Sequence, residues 1–318
     1  MKKVALFLLF TLSTFAFQEL GPVSSIEING TAKDMVLVEN KLVIATDMGH
    51  IEVYDSNSNK KIKEISIPNV IDFMGDEIPA RVMSTDVIGK RYLLLSDSGK
   101  GGYSNLYIYD GNLTQIIFPE DKKAIIKARF IDKDKILLGY LSNEVALLNL
   151  KTKKELYRTQ LSESKFSDFS LNLDKSQAVF ACESGILTIV DIQRGEALKE
   201  LSGINRDNVY KVAFSKDIVT GAGQDRRAAI YSVKKGTGKF IESSFLIYST
   251  GISPSSHLVA FSLDEQNNIS IFNAQTKEKL FTLKGQKSTL NNIIFKDEET
   301  LFSSSDDSTV LKWNLKNR

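Results

Sequence analysis

Ile269-Ser270-Ile271-Phe272-Asn273 and Val310-Leu311-Lys312-Trp313-Asn314 read as two copies of one element, a short β-rich run ending in an aromatic residue and an asparagine. The element recurs upstream as Ile51-Glu52-Val53-Tyr54-Asp55, Leu106-Tyr107-Ile108-Tyr109-Asp110, Val145-Ala146-Leu147-Leu148-Asn149, Leu187-Thr188-Ile189-Val190-Asp191 and Ala228-Ala229-Ile230-Tyr231-Ser232. Its aromatic or aliphatic position falls at residues 54, 109, 148, 190, 231, 272 and 313, at intervals of 55, 39, 42, 41, 41 and 41. Seven units in near-constant register mark a repeat architecture.

Each unit has the same interior. An apolar segment such as 209–214 comes first, then a second such as 217–221, a polar turn, the element above, a charged hairpin and a last strand such as 197–201. Four short alternating strands per repeat, without a helical period, predict an all-β chain folded as a single seven-bladed β-propeller. A β-sandwich would not need a fixed period of this length. The seventh unit ends at Arg318 with no fourth strand, and residues 24–29 form an orphan strand. That strand is expected to complete the last blade and cover its open edge, closing the ring with the two ends of the chain.

Composition narrows the function. Of 318 residues 42% are hydrophobic and 25% charged, ample for a large core. Residues 1–16 have the layout of a secretory signal peptide: Lys2 and Lys3, an apolar run over 4–15, then small residues around Thr14 and Ala16. The run is too short to span a bilayer. Cleavage after Ala16 leaves residues 17–318 as the propeller and predicts a periplasmic protein, with membrane contact at most peripheral. Removing Lys2 and Lys3 from 41 basic residues leaves 39 against 39 acidic ones. Such a balance lacks the basic excess that non-specific nucleic-acid binding uses, so no nucleic-acid partner is expected. His50, His257 and Cys182 are the sole nitrogen and sulfur candidates for a soft metal, so no cofactor and no multi-histidine site are expected. Cys182 has no partner for a disulfide and sits in an apolar run, as a small buried hydrophobe does.

Trp313-Asn314 and the stretch 303–310 before it resemble WD40 repeats. Asp307, six residues before Trp313, falls where that family keeps a structural aspartate, and Asp225 holds the same place before Tyr231. Asp225, Asp307 and Trp313 are thus expected to be structural. The family's Gly-His pair is represented by Gly203-Ile204 and Gly285-Gln286, so the hydrogen-bond network that runs through that histidine is expected to be largely missing. Aliphatic packing is expected to hold the blades instead. In architecture, size and export the chain is also similar to the NapL-type accessory proteins of periplasmic nitrate reductase. That resemblance implies a role in maturation or electron supply of a respiratory reductase, without binding of its cofactors.

The first repeat interval is longer than the others, and the extra residues fall in two places. One is 68–81, between the first and second blades; the other is 98–104, inside the second blade. Both emerge on the same face, and long loops on a rigid scaffold are where binding residues concentrate. Asp72, Phe73, Met74, Asp76, Glu77, Arg81 and Tyr103 are the candidate partner-binding residues; surface loops packed on their own blade are the alternative. The segment 98–104 is glycine-rich but lacks the spacing and following helix of a phosphate-binding loop. Charge is sorted by face as well. The second-to-third loops carry Asp47, Asp97, Glu144, Glu183, Asp225, Asp264 and Asp306, whereas the opposite hairpins carry Lys60, Lys61, Lys151, Lys153, Lys154, Lys234 and Lys235. The lysines form a candidate basic docking rim, or protect exposed strands from edge pairing.

The function expected is a non-catalytic, monomeric interaction platform for another periplasmic protein. Two alternatives stay open: a calcium-dependent hydrolase or lactonase with its metal in the central channel, and an envelope-assembly or cell-surface binding protein.

Overall fold

The computed structural model describes residues 17–316, so the segment read as a signal peptide lies outside the described residues. Seven sheets of four antiparallel strands follow one another in chain order, numbered here as blades 1 to 7. Blade 1 consists of Ala32–Val38, Lys41–Thr46, His50–Asp55 and Lys61–Ser66; blade 5 consists of Val209–Ser215, Ile218–Gly223, Arg227–Ser232 and Thr237–Glu242. The repeated sequence element is the third strand of each blade.

Strand alternation explains how a run such as Tyr92-Leu93-Leu94-Leu95 is apolar throughout. Successive side chains point to opposite faces of a sheet. Tyr92 and Leu94 pack toward blade 1, while Leu93 and Leu95 pack toward blade 3. Every blade is sandwiched between two others, so both of its faces are buried and the core is a ring of interfaces. The seven apolar clusters correspond one to one with the seven interfaces between neighbouring blades.

The chain's start closes the ring. Ser24–Glu27 pairs antiparallel with Thr309–Asn314, Ser24 lying opposite Lys312 and Glu27 opposite Thr309. Ile26 and Ile28 then pack with Phe302 and Val310 of blade 7 against Met35, Leu42 and Ile44 of blade 1. The structure adds one element that the sequence reading lacks. Gln18–Leu20 runs parallel to Lys279–Leu283 as a fifth strand on blade 6, and Leu20 enters the core between blades 6 and 7.

The inner strands share a device that determines what faces the central channel. In six blades this strand has an irregular register near its start, which skips Lys33, Met83, Ile126, Ser167, Tyr210 or Asn291. A bulge of this kind re-aims the side chains beside it. The residues that follow are Asp34, Ser84, Lys127, Asp168, Lys211 and Asn292, five of which line one central cavity.

Candidate functional site

The longer insertion folds into a small hairpin of Val70–Ile71 and Glu77–Ile78. Asp72 holds its turn. Its Oδ1 accepts the backbone N–H groups of Met74 at 2.8 Å and Asp76 at 2.9 Å, while its own N–H donates to the Asp76 carbonyl. An aspartate suits this task because its short carboxylate reaches the backbone two residues on. The consequence is that Phe73 and Met74 are carried at the tip, 91% and 71% exposed. Ile71 and Ile78, also exposed, continue the apolar surface down the hairpin.

The second insertion braces the first. Asp72, Phe73, Asp97, Gly99, Lys100 and Tyr103 line one shallow groove of about 320 Å³. Tyr103 is half-buried over Gly101, and the Ser98 hydroxyl donates to the Tyr103 carbonyl at 2.8 Å. Arg81 reaches Asp97 at 3.5 Å, and Glu77 accepts from the Asn69 side chain at 3.1 Å. The structure thus gathers Asp72, Phe73 and Tyr103 around one groove. Asp76, Glu77 and Arg81 are exposed around the hairpin.

The lysines of the candidate rim are less uniform. Lys60, Lys153, Lys154, Lys234 and Lys235 are exposed, and Lys151 pairs with Asp134 at 2.8 Å. Lys61 is also exposed, but its ammonium lies 3.3 Å from Glu52 and in contact with Glu64. It is tied to a buried network as well as facing solvent. In that network His50, Glu52 and Glu64 bring ligand atoms within 4.8 Å of one another. The Lys61 ammonium already supplies the positive charge that a metal would bring. His50 Nε2 lies 3.2 Å from Glu52 Oε1, the Tyr54 hydroxyl donates to the other Glu52 oxygen, and the Asn29 N–H donates to Oε1 at 3.0 Å. Burial alone would raise the Glu52 pKa. The donors His50, Tyr54 and Asn29, with the charge of Lys61, prevail and hold it at about 2. For His50, burial opposes protonation, but the bonds to Glu52 and the Met48 carbonyl outweigh it and raise its pKa.

Asp225 and Asp307 are backbone acceptors. Asp225 takes the N–H groups of Arg206 at 2.8 Å and Arg227 at 3.1 Å, and Asp307 takes that of Thr309 at 2.8 Å. Trp313 is fully buried and donates from Nε1 to the Ser303 hydroxyl at 2.8 Å. In blade 7 one buried oxygen of Asp307 has no partner among the described residues, and the buried polar chain runs instead through Gln286. It accepts from Ser303 at 2.8 Å and donates to Ser305 at 2.7 Å. In blade 5, the Asn205 backbone N–H donates to the Tyr231 oxygen at 3.0 Å, and its side-chain amide points at Asp225. An amide carries both a donor and an acceptor, so it bridges two hydroxyls as a neutral imidazole would.

Sequence reasoning named the central channel as a possible metal site but missed the residues that line it. A cavity of about 360 Å³ is lined by Asp34, Asp86 and Asp168 and by Lys127, Arg129, Lys175 and Lys211. Arg129 pairs with Asp34 at 2.7 Å across blade 2, and Lys127 pairs with Asp168 at 2.5 Å. Asp86 accepts two backbone N–H groups, from Val87 and Phe130, each at 2.8 Å. Burial raises the Asp86 pKa. Burial also brings Lys127 down to about 8, because the neighbouring charges of Arg129 and Lys211 offset its pairing with Asp168. The signal available in the sequence was a polar or charged residue recurring near the start of each inner strand.

No family model matches the chain, and no curated protein matches it either.

Proposed function

We propose that the protein is a non-catalytic interaction platform that captures a partner protein through the hairpin at residues 70–78. The observation that carries this reading is the Phe73–Met74 tip, 91% and 71% exposed on a hairpin held by its own turn bonds and braced by a second loop. Large apolar side chains on a braced projection suit insertion into an apolar pocket of a partner, with charged residues at the rim. Asp76, Glu77, Arg81 and Lys100 supply such a rim. The signal-peptide-like start supports export to the periplasm, and the resemblance to NapL-type proteins makes a respiratory nitrate reductase the first partner to test. The calcium-dependent hydrolase reading draws little from the channel. Its three carboxylates are each engaged by a cation or by backbone N–H groups, whereas calcium needs several free oxygens converging.

The test is capture of purified periplasmic nitrate reductase by the mature protein, compared between wild type and the double variant Phe73→Ser, Met74→Ser. Exposed substitutions change stability by about 0.5 kcal/mol or less, so the fold is retained. At least a tenfold loss of affinity is expected. Reversing Lys151, Lys153 and Lys154 to Glu separates the alternative surface. Loss of capture in that variant alone, relieved by salt, would transfer the role to the basic rim. Failure of wild type to bind the reductase, with retained binding to intact cells, would favour the envelope-binding reading.

A further inference from the structure

The charges in the central channel do not cancel. Three acidic side chains face four basic ones around the cavity of about 360 Å³. Arg129 and Lys127 are spoken for by Asp34 and Asp168, and Lys175 donates to the Phe130 carbonyl at 2.7 Å. Lys211 has neither an ion-pair nor a hydrogen-bond partner for its ammonium among the described residues. The wall of the cavity built by blades 5, 6 and 7 is unlike the rest. It contributes Lys211, Ser249, Thr250, Asn291 and Asn292, and among the described residues no carboxylate. The Ser249 hydroxyl is enclosed there without a hydrogen-bond partner among the described residues. A half-buried ammonium without a direct partner, on a wall that has no carboxylate of its own, leaves one basic charge of the channel unpaired.

We propose that this half of the channel binds one small oxyanionic group, a phosphate or a carboxylate, with Lys211 as its principal cation. The bound group would balance the fourth basic side chain, and the unpartnered Ser249 hydroxyl is a further donor on the same wall. The bulge at Tyr210 makes the site possible by re-aiming the inner strand of blade 5 where Lys211 enters the channel. The cavity has room for an anion with a small organic body. This inference does not depend on the hairpin's role in partner capture.

The experiment titrates the mature protein with inorganic phosphate and, separately, with succinate at ionic strength held constant by chloride, following melting temperature and binding heat. A saturable stabilisation by one or both anions is expected, abolished or at least tenfold weaker in Lys211→Gln and retained in Lys211→Arg. A response to phosphate alone identifies a phosphate-bearing ligand, and one to succinate alone a carboxylate. Asn292→Asp, which places a carboxylate on the wall that has none, should abolish the response by repulsion and serves if Lys211→Gln does not fold. Lys234→Gln, on an exposed hairpin, should respond as wild type. The proposal fails if neither anion stabilises the wild type, or if Lys211→Gln and Asn292→Asp respond as strongly as it does.

Discussion

Gly99 passes so close to Ile71 that a Cβ built on it would lie 2.3 Å from the Ile71 carbonyl oxygen. Two loops separated in sequence are thereby seated backbone to backbone, and the hairpin that carries Phe73 is held from below. Gly99 also has φ +67°, which a side chain disfavours. Gly99→Ala is therefore expected to lose about 1–3 kcal/mol, or to push the hairpin out of place, and to weaken partner capture although no contacting side chain is altered. Urea unfolding read beside capture checks this; unchanged stability with unchanged capture would show that the seating of the two loops is unimportant.

Ring closure predicts a large effect of a small truncation. Removing residues 17–29 deletes the outer strand of blade 7 and the fifth strand of blade 6 together. It bares the edge of Thr309–Asn314 and uncovers the apolar cluster shared with blade 1. Aggregation or loss of a cooperative melting transition is expected. A soluble truncated protein with the wild-type melting temperature would contradict the role of this seam.

The propeller was legible because its repeat rests on positions that must be apolar to fill the blade interfaces. Tyr54, Tyr231, Phe272 and Trp313 are buried third-strand residues, and burial on both faces keeps that strand apolar in every blade. The Phe73–Met74 loop was legible from the longer repeat interval. The channel was not, because Asp34 in Ala32-Lys33-Asp34-Met35 looks like ordinary alternation until a bulge skips Lys33. Nor was the inner position of Glu52. It shares a strand face with His50 and Tyr54, a polar set that reads as solvent-facing, and is buried once the chain around Glu27 and Asn29 lies over it. Gln18–Leu20 is too short a run to signal a strand.

The blade 7 network offers a test of its buried amide. Gln286 is buried and joins the hydroxyls of Ser303 and Ser305, with Trp313 donating into the same chain. Gln286→Ala would leave the Ser303 proton without its acceptor and the Ser305 hydroxyl without its donor in an enclosed site, at an expected cost of about 1–3 kcal/mol. Gln286→His, which keeps a donor and an acceptor, should lose less. Equal stability of all three proteins by urea unfolding would mean that aliphatic packing alone holds the blade.

The seam network makes stability depend on pH with a sign that can be worked out. Glu52 is held at about 2 in the fold against an ordinary 4.5, so the unfolded chain binds the extra proton. Its contribution is present above pH 4.5 and is lost as pH falls toward 2. It amounts to at most about 3 kcal/mol for a group this buried. His50 has the opposite sign. Its raised pKa favours the protonated ring, so that contribution is full below its ordinary 6.5 and fades as pH rises through the folded value. The groups facing the pair are Tyr54, Lys61 and Glu64. Lys61 stays charged across this window, since its pairing with Glu64 and Glu52 outweighs burial and raises its pKa. Stability is thus expected to be greatest between about pH 4.5 and 6.5 as far as this network decides it. Glu52→Gln should be less stable than wild type at pH 6, with the gap closing as both are taken toward pH 3. Urea unfolding across that range reads the difference directly. A gap that stays constant with pH would show that Glu52 is not ionised in the fold, and that the seam is held by packing of Ile26 and Ile28 rather than by this carboxylate.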